Sequence, residues 1–293
     1  MNHPGLLRSH SWNGCTFTYS SLHELSIHQQ QPAGTSGIKY VIAGTEHYAM
    51  REQSHSVRPG QYLLVNEKRR FDVELPYTPA PVLGFCITLS DGFIHDAERC
   101  GTQTEERLLD DPRGFINTPN DLPEIIHPPG DALGQLLIGL TARLDEKTGR
   151  VAESDELLFA NIAEAFLVSQ CKLRKTTATL SAQRFSTRME IYRRITHAKM
   201  IMDDAPETVN TIGVLAQQAA MSEFHFMRCF RELFGLSPHQ YLIRRRILKA
   251  TELLAAHVPV SEVALRCGFA DVQAFSKAFR KHYGYPPSRF SRI

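Results

Sequence analysis

The strongest constraint on the fold is an internal repeat near the C-terminus. Leu215-Ala216 followed by Phe226-x-x-x-Phe230-Arg231-x-x-x-Gly235-x-x-Pro238 recurs as Val263-Ala264 followed by Phe275-x-x-x-Phe279-Arg280-x-x-x-Gly284-x-x-Pro287. The offset is 48 residues at the alanine and 49 from the first phenylalanine onward, so the copies differ by one residue in a turn. Aromatic residues four apart share one helix face, and Gly followed shortly by Pro ends a helix. Each copy therefore reads as one small helical unit.

Capping residues sharpen the reading. Met189 to Asp203 form a helix, and Thr211 caps the next, whose Ile212, Leu215 and Ala216 face inward. Ala219 and Ala220 lead through Met221 to Ser222, the N-cap of a further helix that ends near Phe234 and is closed by Gly235. This is a helix-turn-helix in outline. The second copy runs from Pro259 through Val260, Val263 and Ala264, turns at Gly268 and restarts behind Asp271. Between the copies, Ser237 and Pro238 begin a long helix with one apolar stripe, Ile243, Ile247, Ala250 and Leu254, that would hold the units at a fixed separation. Two such units on one chain suit two successive major grooves of DNA.

Charge supports that partner. Residues 184–293 carry 17 Lys/Arg against 9 Asp/Glu, whereas residues 1–183 carry 16 against 22, so a formal net charge of only +2 hides a basic C-terminal part and an acidic N-terminal part. A phosphate-bearing partner fits the first of these.

The densest stretch is Val263-Ala264-x-x-x-Gly268-Phe269-Ala270-Asp271-x-x-x-Phe275-Ser276-Lys277-x-Phe279-Arg280-Lys281-His282-Tyr283-Gly284-x-x-Pro287. It resembles the DNA-binding domain of the AraC/XylS family of bacterial transcription regulators, and the resemblance spans Arg188 to Arg292, roughly a third of the chain. It implies a transcriptional regulator, an activator, that binds double-stranded DNA and contacts RNA polymerase. Family members place an effector-binding or dimerising domain, often a cupin-like barrel, before the DNA-binding domain, which implies a small-molecule effector and a homodimer. No cofactor is implied, and no effector-binding residue is assigned.

Helical geometry selects the DNA-facing residues. At 100° per residue, Phe226, Phe230 and Leu233 cluster on the inner side of the first recognition helix, and Phe224, Met227, Arg228 and Arg231 on the outer side. In the second copy Phe275, Phe279 and His282 define the inner side, leaving Gln273, Ser276, Lys277 and Arg280 outward. The family pattern selects the same faces and adds Val272. Base reading is thus expected from Phe224, Met227, Arg228, Val272, Gln273, Ser276 and Lys277. Arg228 suits guanine O6 and N7, Gln273 adenine N6 and N7, Lys277 guanine or a phosphate, and Phe224 either a thymine methyl or the neighbouring helix. Ser222, Arg231, Arg280 and Lys281 are expected at phosphates.

Two residues depart from the family pattern. Ala220 stands where a turn glycine is usual, so a requirement for positive φ would strain the first turn by about 1 kcal/mol. Glu223 opens the first recognition helix, where it suits the helix dipole yet repels phosphate. It either accepts from a cytosine amino group or caps. Arg244, Arg245 and Arg246 on the connecting helix lie either against DNA backbone or on a solvated face.

The N-terminal part has a different texture. Thr16–Tyr19, Ile38–Ile42, Tyr62–Val65, Phe71–Leu75 and Phe85–Leu89 are short β-rich runs, with turns at Ala43-Gly44-Thr45 and Arg58-Pro59-Gly60. They predict an antiparallel β-barrel or jelly roll, and the family resemblance implies that it is a cupin-like antiparallel β-barrel. Residues 99–130 read as loop. Two helices follow, one with Leu133, Leu136, Leu137, Leu140 and Leu144 in a stripe, and one behind the Ser154 cap with Leu158, Ile162, Ala165 and Phe166. Each stripe needs a partner: the barrel, the other helix, or a second subunit. The expected organisation is α+β, with a barrel-and-helix domain at 1–172, a Ser/Thr-rich linker at 173–187 and an all-α domain with two helix-turn-helix units at 188–293.

Other function classes find less support. Residues 1–13 have no basic stretch leading into an apolar core, and no run is long enough to span a bilayer, so a soluble cytoplasmic protein without a membrane partner is expected. The six cysteines are scattered without a Cys-x-x-Cys pair and read as buried reduced thiols. His23, His28, His47 and His55 invite a metal-cupin reading, but no His-x-His occurs and Glu52 precedes His55, so neither a metal nor catalysis is expected. Three readings stand: a ligand-responsive regulator, a regulator whose N-terminal domain only dimerises or binds a protein, and an enzyme fused to a DNA-binding module.

Overall fold

Side chains alternate between buried and less buried in Cys15–Tyr19 and in Arg70–Leu75, and both segments lie in strands of the computed structural model, which describes residues 5–50, 53–102, 124–127, 129–182, 184–209 and 211–290. The chain divides into two units, 1–175 and 176–293. Among the described residues no helix is long and apolar enough to cross a membrane.

In the first unit the strands are β1 Gly5–Trp12, β2 Cys15–Leu22, β3 Leu25–Gln30, β4 Thr35–Ala43, β5 Glu46–Met50, β6 Gln53–Val57, β7 Tyr62–Val65, β8 Arg70–Leu75, β9 Val82–Ser90 and β10 Ile126–His127. All pairings are antiparallel. The strands form a six-stranded sheet, β1-β2-β9-β4-β7-β10, and a four-stranded sheet, β3-β8-β5-β6. All five β-rich runs are strands, and the antiparallel architecture is the expected one. It does not close into a barrel: among the described residues the two sheets keep separate edges. The edge strands β1 and β3 are largely exposed and carry Arg8, Ser9, Ser26 and Gln29, which solvate an unpaired edge rather than drive it to pair.

The sheets share one interior. Phe17 stacks on Phe85 at 5.0 Å and Phe85 on Tyr40 at 4.8 Å, while Leu22, Leu75 and Val82 pack together across the two sheets. Helix α1 spans Asp91–Thr102, so the start of the segment read as loop is helical; residues 103–123 and 128 of that segment lie outside the described ones. Helix α2, Ala132–Arg143, is capped by Asp131 and buries Leu133, Leu137 and Leu140. A two-stranded ribbon, β11 Leu144–Asp145 with β12 Arg150–Val151, leads into α3, Asp155–Thr177. Leu158, Ile162 and Phe166 of α3 are buried within the chain, so a second subunit is not needed to cover them. The His10 ring lies between Phe17 and Phe159, and its Nδ1 is 2.8 Å from Asp155 Oδ1, which places the start of α3 on the β1–β2 face.

The four histidines do not converge. His23 Nδ1 lies 2.9 Å from the Thr78 carbonyl, His28 pairs with Asp72, and His47 Nδ1 lies 2.9 Å from Ser56 Oγ. Glu52 lies outside the described residues. Among those described, no group of three His, Cys, Asp or Glu is placed to hold a metal ion. Cys15, Cys229 and Cys267 are buried, as expected of reduced thiols, but Cys100 and Cys171 are exposed on helices.

The segment read as a linker is helical at both ends, because α3 continues to Thr177 and α4, Phe185–Asp204, already includes Phe185 to Thr187. The second unit continues with α5 Ile212–Gln218, α6 Glu223–Phe234, α7 Pro238–Ala255, α8 Val260–Arg266, α9 Val272–Tyr283 and α10 Pro287–Phe290. Its apolar residues separate into two cores. One holds Ile195, Ala198, Met202, Leu215, Ala216, Phe226 and Phe230, and the other Ile247, Ala250, Leu254, Val263, Ala264, Phe275 and Phe279. At about 1.5–3 kcal/mol for each large buried side chain, the four phenylalanines alone are a major stabilising contribution.

These cores show that the repeat contains three helices in each copy. Arg194-Ile195-x-x-Ala198-x-x-x-Met202 in α4 matches Arg246-Ile247-x-x-Ala250-x-x-x-Leu254 in α7, 52 residues on. Helix α7 is thus both a connector and the first helix of the second copy. Its predicted stripe serves only the second core, while Leu242, with Tyr241 beside it, enters the first. Ser237 and Gln240 complete a capping box that starts α7, with Pro238 in its first turn.

Candidate nucleic-acid interface

Matching main-chain hydrogen bonds build both turns. The N–H of Ala219 donates to Leu215, that of Ala220 to Gln217 and that of Met221 to Ala216; Cys267, Gly268 and Phe269 repeat this with Val263, Leu265 and Ala264. The residue at the bend takes positive φ in each copy, +50° at Ala220 and +77° at Gly268. The suspected strain at Ala220 is therefore present. Arg194 Nη1 donates to the Ala220 carbonyl at 2.9 Å and secures the bend from α4.

Each recognition helix then starts from a side-chain cap. Ser222 Oγ accepts from the His225 N–H at 3.3 Å, and Asp271 Oδ1 from the Ala274 N–H at 2.6 Å. Each ends at a left-handed glycine, Gly235 or Gly284. Between cap and glycine, Phe226 and Phe230 in α6 and Phe275 and Phe279 in α9 are fully buried. Twelve residues thus form a helix with one face fixed in a core and the other held outward.

Every residue expected at DNA lies toward the outer side. Phe224 is 74% exposed, which removes the alternative that it packs on a neighbouring helix. Met227, Arg228, Val272, Gln273 and Lys277 are exposed, and Ser276 is half-buried, closer to the core than expected. Ser222, Arg231, Arg280 and Lys281 are exposed as well. Arg228 Nε stands 3.8 Å from Glu232 Oε1, too long to hold the guanidinium away from a base. Among the described residues Arg231, Lys277, Arg280 and Lys281 make no ion pair. One inner assignment was wrong: His282 is exposed, and the half-buried Tyr283 packs against the core in its place. In the last turn of α9 it is Tyr283 that meets the core, so angular position alone does not bury His282.

Glu223 does not cap its own helix. Ser222 caps α6, and the Glu223 carboxylate instead leans over the first turn of α5: a Cβ built on Gly213 would meet Glu223 Oε2 at 3.0 Å. Two of the three arginines of α7, Arg245 and Arg246, are tied into the fold. Arg245 Nη2 donates to the Asp203 carbonyl at 3.1 Å and its Nε forms an ion pair with Asp203 Oδ1 at 2.9 Å. Arg246 donates to the carbonyls of Pro206 and Val209 at 3.0 and 2.8 Å. Only Arg244 of the three is exposed.

The recognition helices differ in charge. Helix α6 carries Arg228 and Arg231 against Glu223 and Glu232, whereas α9 carries Lys277, Arg280 and Lys281 with no carboxylate. Two exposed apolar residues, Val214 on α5 and Leu265 on α8, were not anticipated from the sequence. Helical spacing carries the signal: with Ile212, Leu215 and Ala216, and with Val260, Val263 and Ala264, turned inward, Val214 and Leu265 fall on the outer sides.

Residues 215–293 match a family model described as a helix-turn-helix domain. LumQ of Photobacterium leiognathi, described as a transcriptional regulator, is 37% identical over 81 residues, which is 27% of this chain and 33% of LumQ. The HTH-type transcriptional activator RhaS of Escherichia coli is 28% identical over 149 residues, 50% of each chain. The chain thus spans between a third and half of the length of these curated relatives. Among solved structures, the DNA-binding domain of AdpA, a global transcriptional factor crystallised with a target DNA, is 34% identical, covering 34% of this chain and 90% of that domain with a TM-score of 0.32.

Proposed function

We propose that this chain, whose C-terminal unit is a helix-turn-helix domain of the AraC/XylS type, is a sequence-specific transcriptional regulator, most simply an activator. The observation that carries this reading is the pair of matched outward faces, Phe224/Met227/Arg228 and Gln273/Ser276/Lys277, each held by a capped, core-anchored helix. Phosphate contacts from Ser222, Arg231, Arg280 and Lys281 would position the helices, and base contacts would select the sequence. Selection of binding sites from random DNA tests the proposal. The expected result is a two-part motif with half-sites about 10 base pairs apart, and recovery of no motif would overturn it.

The N-terminal unit is assigned the effector. Lys39 and Glu46 are buried between the strands, with Lys39 Nζ 5.3 Å from the Phe71 ring and the Tyr48 hydroxyl donating to Glu46 at 2.5 Å. Burial pushes the Glu46 carboxyl above its ordinary range. Ionisable groups held out of water are unfavourable to folding, and their placement between the strands supports a binding role for this interior. A small molecule that binds only the folded protein raises its melting temperature, so screening metabolites by thermal shift tests the assignment. A second division of labour, pairing with another copy of the chain, is favoured by Leu157 and Val168, exposed apolar residues on one face of α3. Sedimentation equilibrium distinguishes a dimer from a monomer. RNA polymerase is the protein partner that activation requires, and the cytoplasm is where such a regulator would meet it.

A further inference from the structure

The two repeat copies use their matched arginines differently. Arg194 donates to Ala220 inside its own copy, whereas Arg246 reaches out of its copy to the carbonyls of Pro206 and Val209, in the segment that follows α4. Lys249, one turn further along α7, places Nζ 2.8 Å from Glu207 Oε2. The same segment meets the second helix-turn-helix at its bend. A Cβ on Gly268 would lie 2.8 Å from Glu207 Cα, 2.9 Å from the Glu207 carbonyl oxygen and 3.1 Å from Arg246 Cζ. The Arg246 guanidinium also lies 5.9 Å from the centre of the Phe269 ring. Main chain of the first copy is therefore seated on the turn of the second.

We infer that residues 205–209, gripped by Arg246 and Lys249 and seated against Gly268, form a clasp that fixes the separation and angle of the two recognition helices and hence the spacing of the DNA half-sites. Helix α7 joins two separate cores, each packed on its own residues of the helix. The clasp adds a second tie, away from the α7 axis. Precision matters because one inserted base pair moves a half-site by about 3.4 Å and turns it by roughly 35° around the duplex. A rigid pair of units then loses one of its two contacts, whereas a loosely joined pair adapts at little loss of affinity. Arg246 and Lys249 are thus positioning residues that touch no base.

This inference rests on the DNA-binding reading, and its test separates the two. Full-length protein is titrated with its selected site, with versions of that site shortened or lengthened by one or two base pairs between half-sites, and with a single half-site. Wild type is expected to lose on the order of tenfold or more in affinity at altered spacings, and the Arg246→Met/Lys249→Met variant to flatten that profile to within about threefold while keeping its single-half-site affinity. The milder Lys249→Met alone is expected to flatten it in part. A variant profile parallel to that of wild type would overturn the clasp without touching the DNA-binding reading. A measurement free of DNA provides the second arm: spin labels at Glu232 and Lys281, in a background lacking the exposed Cys100 and Cys171, are expected to give a narrow distance distribution in wild type and a broader one in the variant. Equal widths would overturn the clasp even if no DNA site were found.

Discussion

Ala220 and Gly268 occupy the same bend of the two helix-turn-helix units, 48 residues apart, and both have positive φ, yet only Gly268 has another main chain, that of Glu207, 2.8 Å from where a Cβ would be. The bend itself tolerates alanine with some strain. The contact at the second bend does not.

Opposite outcomes are therefore expected for two exchanges at equivalent positions. Ala220→Gly relieves left-handed strain but adds chain entropy to the unfolded state, so a net gain of about 0.5–1 kcal/mol is expected. Gly268→Ala introduces that strain and also displaces Glu207, with a loss of roughly 2 kcal/mol or more. Urea unfolding of the two variants measures both, and equal effects at the two sites would refute the argument.

Arg228→Ala and Gln273→Ala are each expected to lower discrimination by about 1–3 kcal/mol, at separate positions of the selected site. Arg280→Ala is expected to weaken binding to every sequence and to reduce the slope of log affinity against log salt by about 0.9. Titrations at several salt concentrations separate these roles. Unchanged affinity of Arg228→Ala for the selected site would remove that side chain from base reading.

The Glu223 carboxylate stands beside the first turn of α5, on a unit that is to approach phosphates. Glu223→Gln is expected to tighten binding to all sequences several-fold by removing like-charge repulsion, with the preferred site unchanged. If the substitution instead altered preference at one cytosine-containing position, Glu223 would be a base reader. Competition between the selected site and its single-base variants distinguishes the outcomes.

Glu190 supplies a pH dependence. Arg193 donates to it at 2.8 and 2.6 Å and Arg194 at 2.7 Å, and these bonds, Arg193's first, hold the carboxyl down from 4.5 to about 2. A depressed folded-state value stabilises the protein above the unfolded value, and that contribution is lost as pH falls through the folded one. Stability attributable to Glu190 should thus disappear between about pH 4.5 and 2, and Glu190→Gln should be the less stable protein at neutral pH but lose less on acidification. Partial exposure of the carboxylate limits the difference to about 1 kcal/mol or less. Urea midpoints of both proteins across pH 2–7 read it.

Much of the proposed recognition surface is legible in the sequence. Phe226, Phe230, Phe275 and Phe279 identify their cores by spacing alone, and Ser222, Asp271, Gly235 and Gly284 mark helix ends by residue type, because helical period and capping are settled within one or two turns of contiguous chain. The polar strands β3 and β6 escaped notice because pairing with β8 and β5, rather than their own composition, makes them strands.

Tertiary structure decided the rest. Whether the sheets close depends on edges meeting that lie far apart in the chain, and pairing through main-chain groups leaves little trace in residue identity. Arg246 looks like its neighbour Arg244 in the sequence, but its partners are carbonyls 40 and 37 residues away, and no local pattern encodes them. The sequence by itself determined that there are two helical units with two outward faces. How those units are held relative to one another follows from contacts of Arg246, Glu207 and Gly268, which only the folded chain brings together.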